Sequence, residues 1–567
     1  MKTLLIFSFC FLIVKIDNVC GENQFKIVNL SQGPVKGYKD PNGDLFVFYG
    51  IPYATAPTGP FKFKAPMPAP SWTVPLEATR SIVACPPFFN ANEDCLIANV
   101  YVPNTNATNL PVLVIVHGGG FITGFGDMLR PTSLVNSQKI IAVTFNYRLG
   151  VNGFLCLGTN DIPGNAGMKD QVALLRWVRN NIASFGGNPN DVTLSGSSVG
   201  SVAVNLITLS PSARGLFHKV IPESGSDLSP FAVQQDPLAN AKNFVKTFPN
   251  ANIDVNNIKA LEDFFKKTPL LDLMGHMTYL NNDFSIDFSP CVERKTSEDS
   301  FLTDAPINIL KSGNYTKVPM LSGFTNMEGL LRIHEFDELS LGMNKNFSNF
   351  LPGDLKFVSA GEKEKTANTV KRFYFGDKLV GPETVLNYIE YLSDAAFTVD
   401  TLRSIKLRLE TGSNEIYLYQ FSYVDESTSL IPFSTVRGAG HIAQTEMILD
   451  RNTLLINTTQ MSPSHMKIKN IMREMWLNFI TTGQPVPSSS VDLPSWPPVR
   501  RFNSPYMSLT LPVTLNASVI QGRFDFWEQI YDKYYSAPKP PASNSERLAS
   551  FAILSVLVIS LTQILCM

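Results

Sequence analysis

The chain has 567 residues, 44% of them hydrophobic, with 47 Lys and Arg against 48 Asp and Glu and a net charge of −1. So large an apolar fraction excludes disorder as the main description, and the balanced charge excludes the basic field that a nucleic-acid partner needs. Only 17% of residues are charged, which suits a glycoprotein whose sugars add solubility.

In chain order, residues 1–21 read as a secretory signal peptide. Lys2 is the positive start, Leu4 to Val14 the apolar run, and Val19 and Gly21 the small positions before cleavage. The run is too short to span a bilayer. Pro111 to His117 and Ile140 to Phe145 are continuous apolar strands. Asn165 to Phe185 has apolar residues at helical spacing and stops at Gly186-Gly187. Asp191 to Leu194 is a strand, followed by a Gly/Ser turn and a helix from about Val199. Lys219 to Pro222, Val318 to Gly323 and Ile416 to Tyr423 extend the strand series, and Ile471 to Thr482 is an amphipathic helix. Strands of this kind alternating with helices predict an α/β fold, a mostly parallel central sheet covered on both faces. Residues around 230–315 and 330–410 are richer in helix signals and read as helical covering insertions.

At the C-terminus, Leu548 to Met567 is a second apolar segment, ending at the last residue behind the Pro/Ser stretch Ser536 to Ser545. Small residues, a polar spacer and a terminal apolar tail make a GPI-attachment pattern, with attachment near Ser536 or Ala537, or at Ser543 with a shorter spacer. A single membrane helix is the alternative. The expected organisation is therefore a signal at 1–21, one domain at 22–537 and a propeptide or tail at 538–567. Sequons at Asn29, Asn106, Asn314, Asn346, Asn457 and Asn516 fit a glycosylated, extracellular or cell-surface protein.

Of seven Cys, Cys10 and Cys20 leave with the signal and Cys566 with a GPI tail. Cys85 and Cys95 can close a short loop in an oxidising compartment. Cys156 and Cys291 lie in apolar surroundings and read as buried free thiols. No Cys/His cluster has zinc-ligand spacing, so no metal is expected.

Two motifs carry chemistry. Gly196-Ser197-Ser198-Val199-Gly200 fits G-x-S-x-G between a strand and a helix, the context that presents a nucleophilic serine on a tight turn. His117-Gly118-Gly119-Gly120-Phe121 ends a strand with a glycine run whose amides can approach a substrate oxyanion. A serine nucleophile needs a base and an orienting acid. In this fold they follow in the order Ser, acid, His, which excludes His218 and His276. Of His334, His441 and His465, His441 lies in the glycine-rich loop Gly438 to His441 after a strand. The acid candidate is Glu328, which follows the strand ending at Gly323.

With these residues the chain resembles the type-B carboxylesterase family, the cholinesterase/carboxylesterase group of the α/β-hydrolase fold. Gly50 to Ala54, Glu93 to Leu96, Asn146 to Gly150, Phe185 to Pro189, Ser224 to Ser226, Gly323 to Gly329 and Met475 to Phe479 extend the match over residues 25–535. The resemblance implies one catalytic domain with Ser198, Glu328 and His441 as triad and Gly119, Gly120 and Val199 as oxyanion donors. It also implies an Arg148–Asp170 structural salt bridge and a Cys85–Cys95 disulfide. The implied activity is hydrolysis of small-molecule carboxylic esters through an acyl-enzyme, without cofactor. The alternative is a non-catalytic, neuroligin-like surface adhesion protein. Departures from the family pattern are Ser197, where cholinesterases carry Glu, Val199 where Ala is usual, and Lys62, where an Arg would fork to Glu93. The Cys85–Cys95 loop holds Phe88 and Phe89 but no Trp. Both choline-binding devices are thus missing, and neutral esters are the expected substrates.

Overall fold

The computed structural model describes residues 24–79, 83–87, 93–277, 280–294, 299–451, 461–491 and 493–542. The signal segment, the terminal apolar tail, Phe88, Phe89 and Asn457 lie outside the described residues. The strands that carry the fold are β1 (Phe25–Asn29), β2 (Pro34–Lys39), β3 (Leu45–Pro52), β4 (Ile97–Pro103), β5 (Leu110–Val116), β6 (Ile141–Phe145), β7 (Gly187–Ser197), β8 (Lys219–Glu223), β9 (Met320–Thr325), β10 (Ile416–Phe421), β11 (Tyr506–Leu509) and β12 (Thr514–Asn516). They form one sheet in the order β1-β2-β3-β4-β6-β5-β7-β8-β9-β10-β11-β12, with Leu76–Glu77 added beside β2. From β6 to β11 every neighbouring pair is parallel. β1 to β4, the β4–β6 pairing and β12 are antiparallel.

The apolar strands are continuous because both faces are covered. Along β5, Val112, Val114 and Val116 enter one core while Leu113 and Ile115 enter the other. This is the two-residue alternation of a strand with protein on both sides. The first core holds α1 (Ala166–Asn181) and α2 (Val199–Leu209). It also holds the insertions with α3 (Pro237–Lys246), α4 (Ile258–Lys267), α5 (Ala360–Phe375), α6 (Val385–Ser393) and α7 (Val399–Glu410). The short α8 (Ala443–Ile448) and α9 (Pro463–Thr482) cover the other face, and α10 (Gln521–Tyr534) closes the fold against the insertions. α1 stops as predicted, through a 3-10 turn into Gly186 at φ +91°. α9 begins at Pro463, before the predicted Ile471, because the Ser462 side chain accepts the His465 amide at 3.1 Å.

One expectation is corrected. Cys156 and Cys291 are not free thiols: they form a disulfide across 135 residues of sequence, beside the Cys85–Cys95 disulfide. Their apolar surroundings reflect burial of the bridge. Gly164 makes room for it, since a Cβ there would press on both sulfurs. Lys62 does not turn to Glu93. Its ammonium donates to the carbonyls of Lys266 at 3.2 Å and Thr268 at 2.7 Å, at the end of α4, where a cation complements the helix dipole.

Candidate active site

β7 must turn into α2 within one residue, and Ser198 takes the turn at φ +59°, ψ −128°. A non-glycine residue held there stores roughly 1–3 kcal/mol of strain. The turn closes because Gly196 and Gly200 lack side chains. A Cβ on Gly196 would collide with the Gly200 carbonyl, and one on Gly200 with the Val116 carbonyl. The Ser198 amide donates to the Glu223 carbonyl at 2.9 Å, fastening the turn to β8.

The loop after β5 folds back tightly. The Gly119 carbonyl accepts the amides of Ile122 at 3.0 Å and Thr123 at 2.8 Å. Gly119 and Gly120 adopt φ +109° and +66°. Among the described residues the amides of Gly119, Gly120 and Val199 donate to no backbone carbonyl. All three residues line one cavity of about 640 Å³ together with Ser198 and His441. Phe231, Phe397, Leu280 and Ile286 make most of its wall apolar, and Arg332 and Glu335 also line it. No Trp or Tyr lines it among the described residues. Trp72 instead donates to the Pro34 carbonyl at 2.7 Å.

Glu328 follows β9 and is fully buried. Its Oε1 accepts the Thr325 amide at 2.7 Å and the Ser224 hydroxyl at 2.5 Å, while its Oε2 lies 2.5 Å from His441 Nδ1. The His441 loop is tied to the Glu328 loop twice, by Met327 N to Ala439 O at 3.2 Å and by Ala439 N to Asn326 Oδ1 at 3.2 Å. His441 Nε2 is buried and has no hydrogen-bond partner among the described residues. The other histidines are placed otherwise. His117 stacks on Tyr147 with ring centres 4.3 Å apart, and burial lowers its pKa to about 4. His218 Nδ1 accepts the Val192 amide, His276 stacks on Phe248, His465 lies 3.8 Å from Asp425, and exposed His334 sits on the cavity rim.

Arg148 and Asp170 form a fully buried pair at 2.6 Å, with a second bond from Arg148 Nε at 2.8 Å. Arg148 also donates to the carbonyls of Lys62 and Lys64, so one guanidinium ties the chain after β3 to α1. The sequons at Asn29, Asn106, Asn314, Asn346 and Asn516 are all exposed.

Sequence reasoning missed three residues around the site. Phe397 stands 4.7 Å from the His441 ring and 5.4 Å from Phe231, on a π-helical turn, Asp394–Thr398, between α6 and α7. Gln444 and Glu223 lie behind the site and carry no motif. Glu223 accepts Tyr419 Oη at 2.9 Å and Thr445 Oγ1 at 3.1 Å, and burial pushes its pKa up to about 7.

A buried acid bonded to a histidine, beside a strained serine and glycine amides that donate to no carbonyl among the described residues, is the arrangement that acyl transfer needs. Comparison with known proteins agrees. The carboxylesterase family model matches residues 24–527. Venom carboxylesterase-6 of Apis mellifera is 31% identical over 503 residues, covering 84% of this chain and 88% of that protein. The juvenile hormone esterase of Tribolium castaneum is 31% identical over 479 residues, covering 78% of this chain and 81% of that protein. The crystal structure of juvenile hormone esterase from Manduca sexta, with OTFP covalently attached, superposes with a TM-score of 0.79 at 29% identity, over 90% of this chain and 100% of that one. The chain belongs to the carboxylesterase family, with an α/β-hydrolase fold and the activity of a carboxylic ester hydrolase.

Proposed function

We propose that the protein hydrolyses neutral, largely apolar esters through an acyl-enzyme on Ser198. His441 Nε2 takes the Ser198 proton as Oγ attacks the ester carbonyl carbon. The amides of Gly119, Gly120 and Val199 receive the oxyanion, and Glu328 holds the imidazole with its proton on Nδ1. Collapse breaks the ester C–O bond, and the departing alkoxide takes the proton from His441. Water, deprotonated by the same nitrogen, then attacks the acyl carbon and releases the acid and Ser198. The 2.5 Å contact between Glu328 and His441, beside a cavity that both His441 and Ser198 line, carries this reading. The relatives named above are esterases, which leaves the adhesion alternative without support.

The substrate class rests on the cavity wall. Among the described residues its phenyl rings are those of Phe231 and Phe397, Ser197 replaces an acid beside the nucleophile, and Trp72 is engaged elsewhere. A quaternary ammonium gains about 0.5–2 kcal/mol from a suitable aromatic face, and an uncharged ester needs none. kcat/KM for acetylcholine beside an uncharged acetate ester tests this, and a clear preference for the choline ester would sink it. A fluorophosphonate probe that leaves Ser198 of the folded protein unlabelled would sink the mechanism.

Secretion, glycosylation at the sequons and a lipid anchor belong to the same reading. The segment after α10 is packed on the body: Ser536 N donates to the Asp354 carbonyl at 2.8 Å, and Arg294 Nε to the Pro541 carbonyl at 2.7 Å. Attachment near Ser536 or Ala537, or at Ser543, which lies outside the described residues, is part of this reading. Phosphatidylinositol-specific phospholipase should release the protein from cells. Retention with the terminal peptide still present would favour a membrane helix.

A further inference from the structure

Behind the catalytic acid lies a hydrogen-bonded chain that the reaction does not by itself require. Gln444 Nε2 donates to Ser224 Oγ at 2.7 Å, Ser224 Oγ donates to Glu328 Oε1 at 2.5 Å, and Glu328 Oε2 meets His441 Nδ1 at 2.5 Å. Gln444 is fully buried. Tyr419 gives its own proton to Glu223 Oε1 at 2.9 Å.

The proton count fixes the polarity. A hydroxyl has one proton to give. Ser224 is 2.5 Å from a carboxylate that accepts, so its proton goes to Glu328. The Ser224 oxygen therefore faces Gln444 as an acceptor. The Gln444 amide nitrogen, which can only donate, supplies what that oxygen needs. A carboxylate at this position would accept instead and draw Ser224's proton away from Glu328. An apolar side chain would leave that proton undirected.

We infer that Gln444 is a positioning residue for the ester hydrolysis: its amide directs Ser224's proton onto Glu328 and so sets the orientation of the Glu328–His441 pair. With Thr325 N–H and Ser224 O–H on Oε1, only Oε2 is left for the imidazole, and the carboxylate plane is fixed. The inference rests on the proposed roles of Ser198, Glu328 and His441.

Titratable groups face this amide from each neighbouring element: Glu223 from β8, Glu328 beyond β9, Tyr419 from β10 and His441 from its own loop. From α9 the uncharged Trp476 packs on Tyr419, while the Lys469 ammonium turns to the Glu446 carbonyl at 3.4 Å. Gln444→Glu introduces an acceptor of the same shape into this group. Its negative charge and its capture of Ser224's proton both favour imidazolium at His441, so the acid limb of the pH profile should move to higher pH.

The test uses the full-length protein and a neutral aryl ester from pH 5 to 9, with wild type, Q444E, Q444M, S224A and S224A/Q444M. Q444M should lose about tenfold or more in kcat, the size of one bond to a charged group, with little change in KM. The double variant should be no slower than S224A, because Gln444 acts through Ser224. The acid limb of Q444E should move upward. A wild-type kcat in Q444M, additive losses in the double variant, or an unmoved Q444E profile would each overturn the inference. Should Q444M fail to fold, the nearly isosteric Q444E carries the test. Fluorophosphonate labelling of wild-type Ser198 separates the two failures. Labelling with unaffected Gln444 variants refutes this inference alone, and no labelling refutes the triad.

Discussion

The backbone carbonyl of Glu223 accepts the amide of Ser198 at 2.9 Å, and the carboxyl of the same residue is buried behind the nucleophile's turn, bonded to Tyr419 and Thr445. One residue thus fastens the turn by its main chain and places a titratable group beneath it. Burial pushes that carboxyl from its ordinary 4.5 up to about 7.

Stability should therefore follow pH through Glu223. The folded state holds this proton more tightly than the unfolded chain. That contribution is complete below pH 4.5 and is lost as pH rises through about 7. Gln cannot titrate, so Glu223→Gln should gain on wild type by about 1–3 kcal/mol between pH 5 and pH 8. Denaturant melts of both proteins at the two pH values measure it, and a gap that does not change with pH would contradict the prediction.

Gly119→Ala should damage the reaction more than the fold. The residue sits at φ +109°, and a Cβ would collide with the Thr123 carbonyl, displacing the amides proposed to receive the oxyanion. Losing one such donor costs roughly 10²–10³ in kcat. Steady-state kinetics on a neutral ester, with a thermal melt alongside, should show this loss. A kcat within tenfold of wild type would remove Gly119 from the oxyanion role.

The Cys156–Cys291 disulfide joins residues 135 apart, so its removal frees much of the unfolded chain. Chain-entropy arguments put such a bridge at up to about 5 kcal/mol, against about 3 kcal/mol for a short loop such as Cys85–Cys95. Cys156→Ser/Cys291→Ser should lower Tm by several degrees. A non-reducing digest of wild type should yield the linked peptide, and free thiols at both positions would refute the pairing.

Phe397 should set acyl size. Its ring lies 4.7 Å from His441 and 5.4 Å from Phe231, on the wall of the cavity. Phe397→Ala should raise kcat/KM for a branched acyl ester relative to an acetyl ester by about tenfold or more. The cost should be up to about 3–5 kcal/mol of stability. An unchanged ratio would place the acyl group elsewhere.

The sequence alone determined the features built within a few residues. The turn at Ser198 and the glycine loop before Phe121 were legible because only small residues fit such turns, so their composition reports their shape. The parallel strands were legible because burial on both faces demands unbroken apolar runs, as in β5. The stop of α1 at Gly186 was legible because a left-handed residue ends a helix. Tertiary structure alone decided whatever depends on contact between distant segments. Cys156 and Cys291 read as thiols because nothing local announces a partner 135 residues away. Gln444 and Ser224 stand 220 positions apart, and neither side chain by itself implies a chain of protons between them. Phe397 reaches His441 because a π turn interrupts the run from α6 to α7. Local rules of backbone shape are written in neighbouring residues, whereas the direction of a buried proton or the partner of a sulfur depends on which segments the sheet brings together.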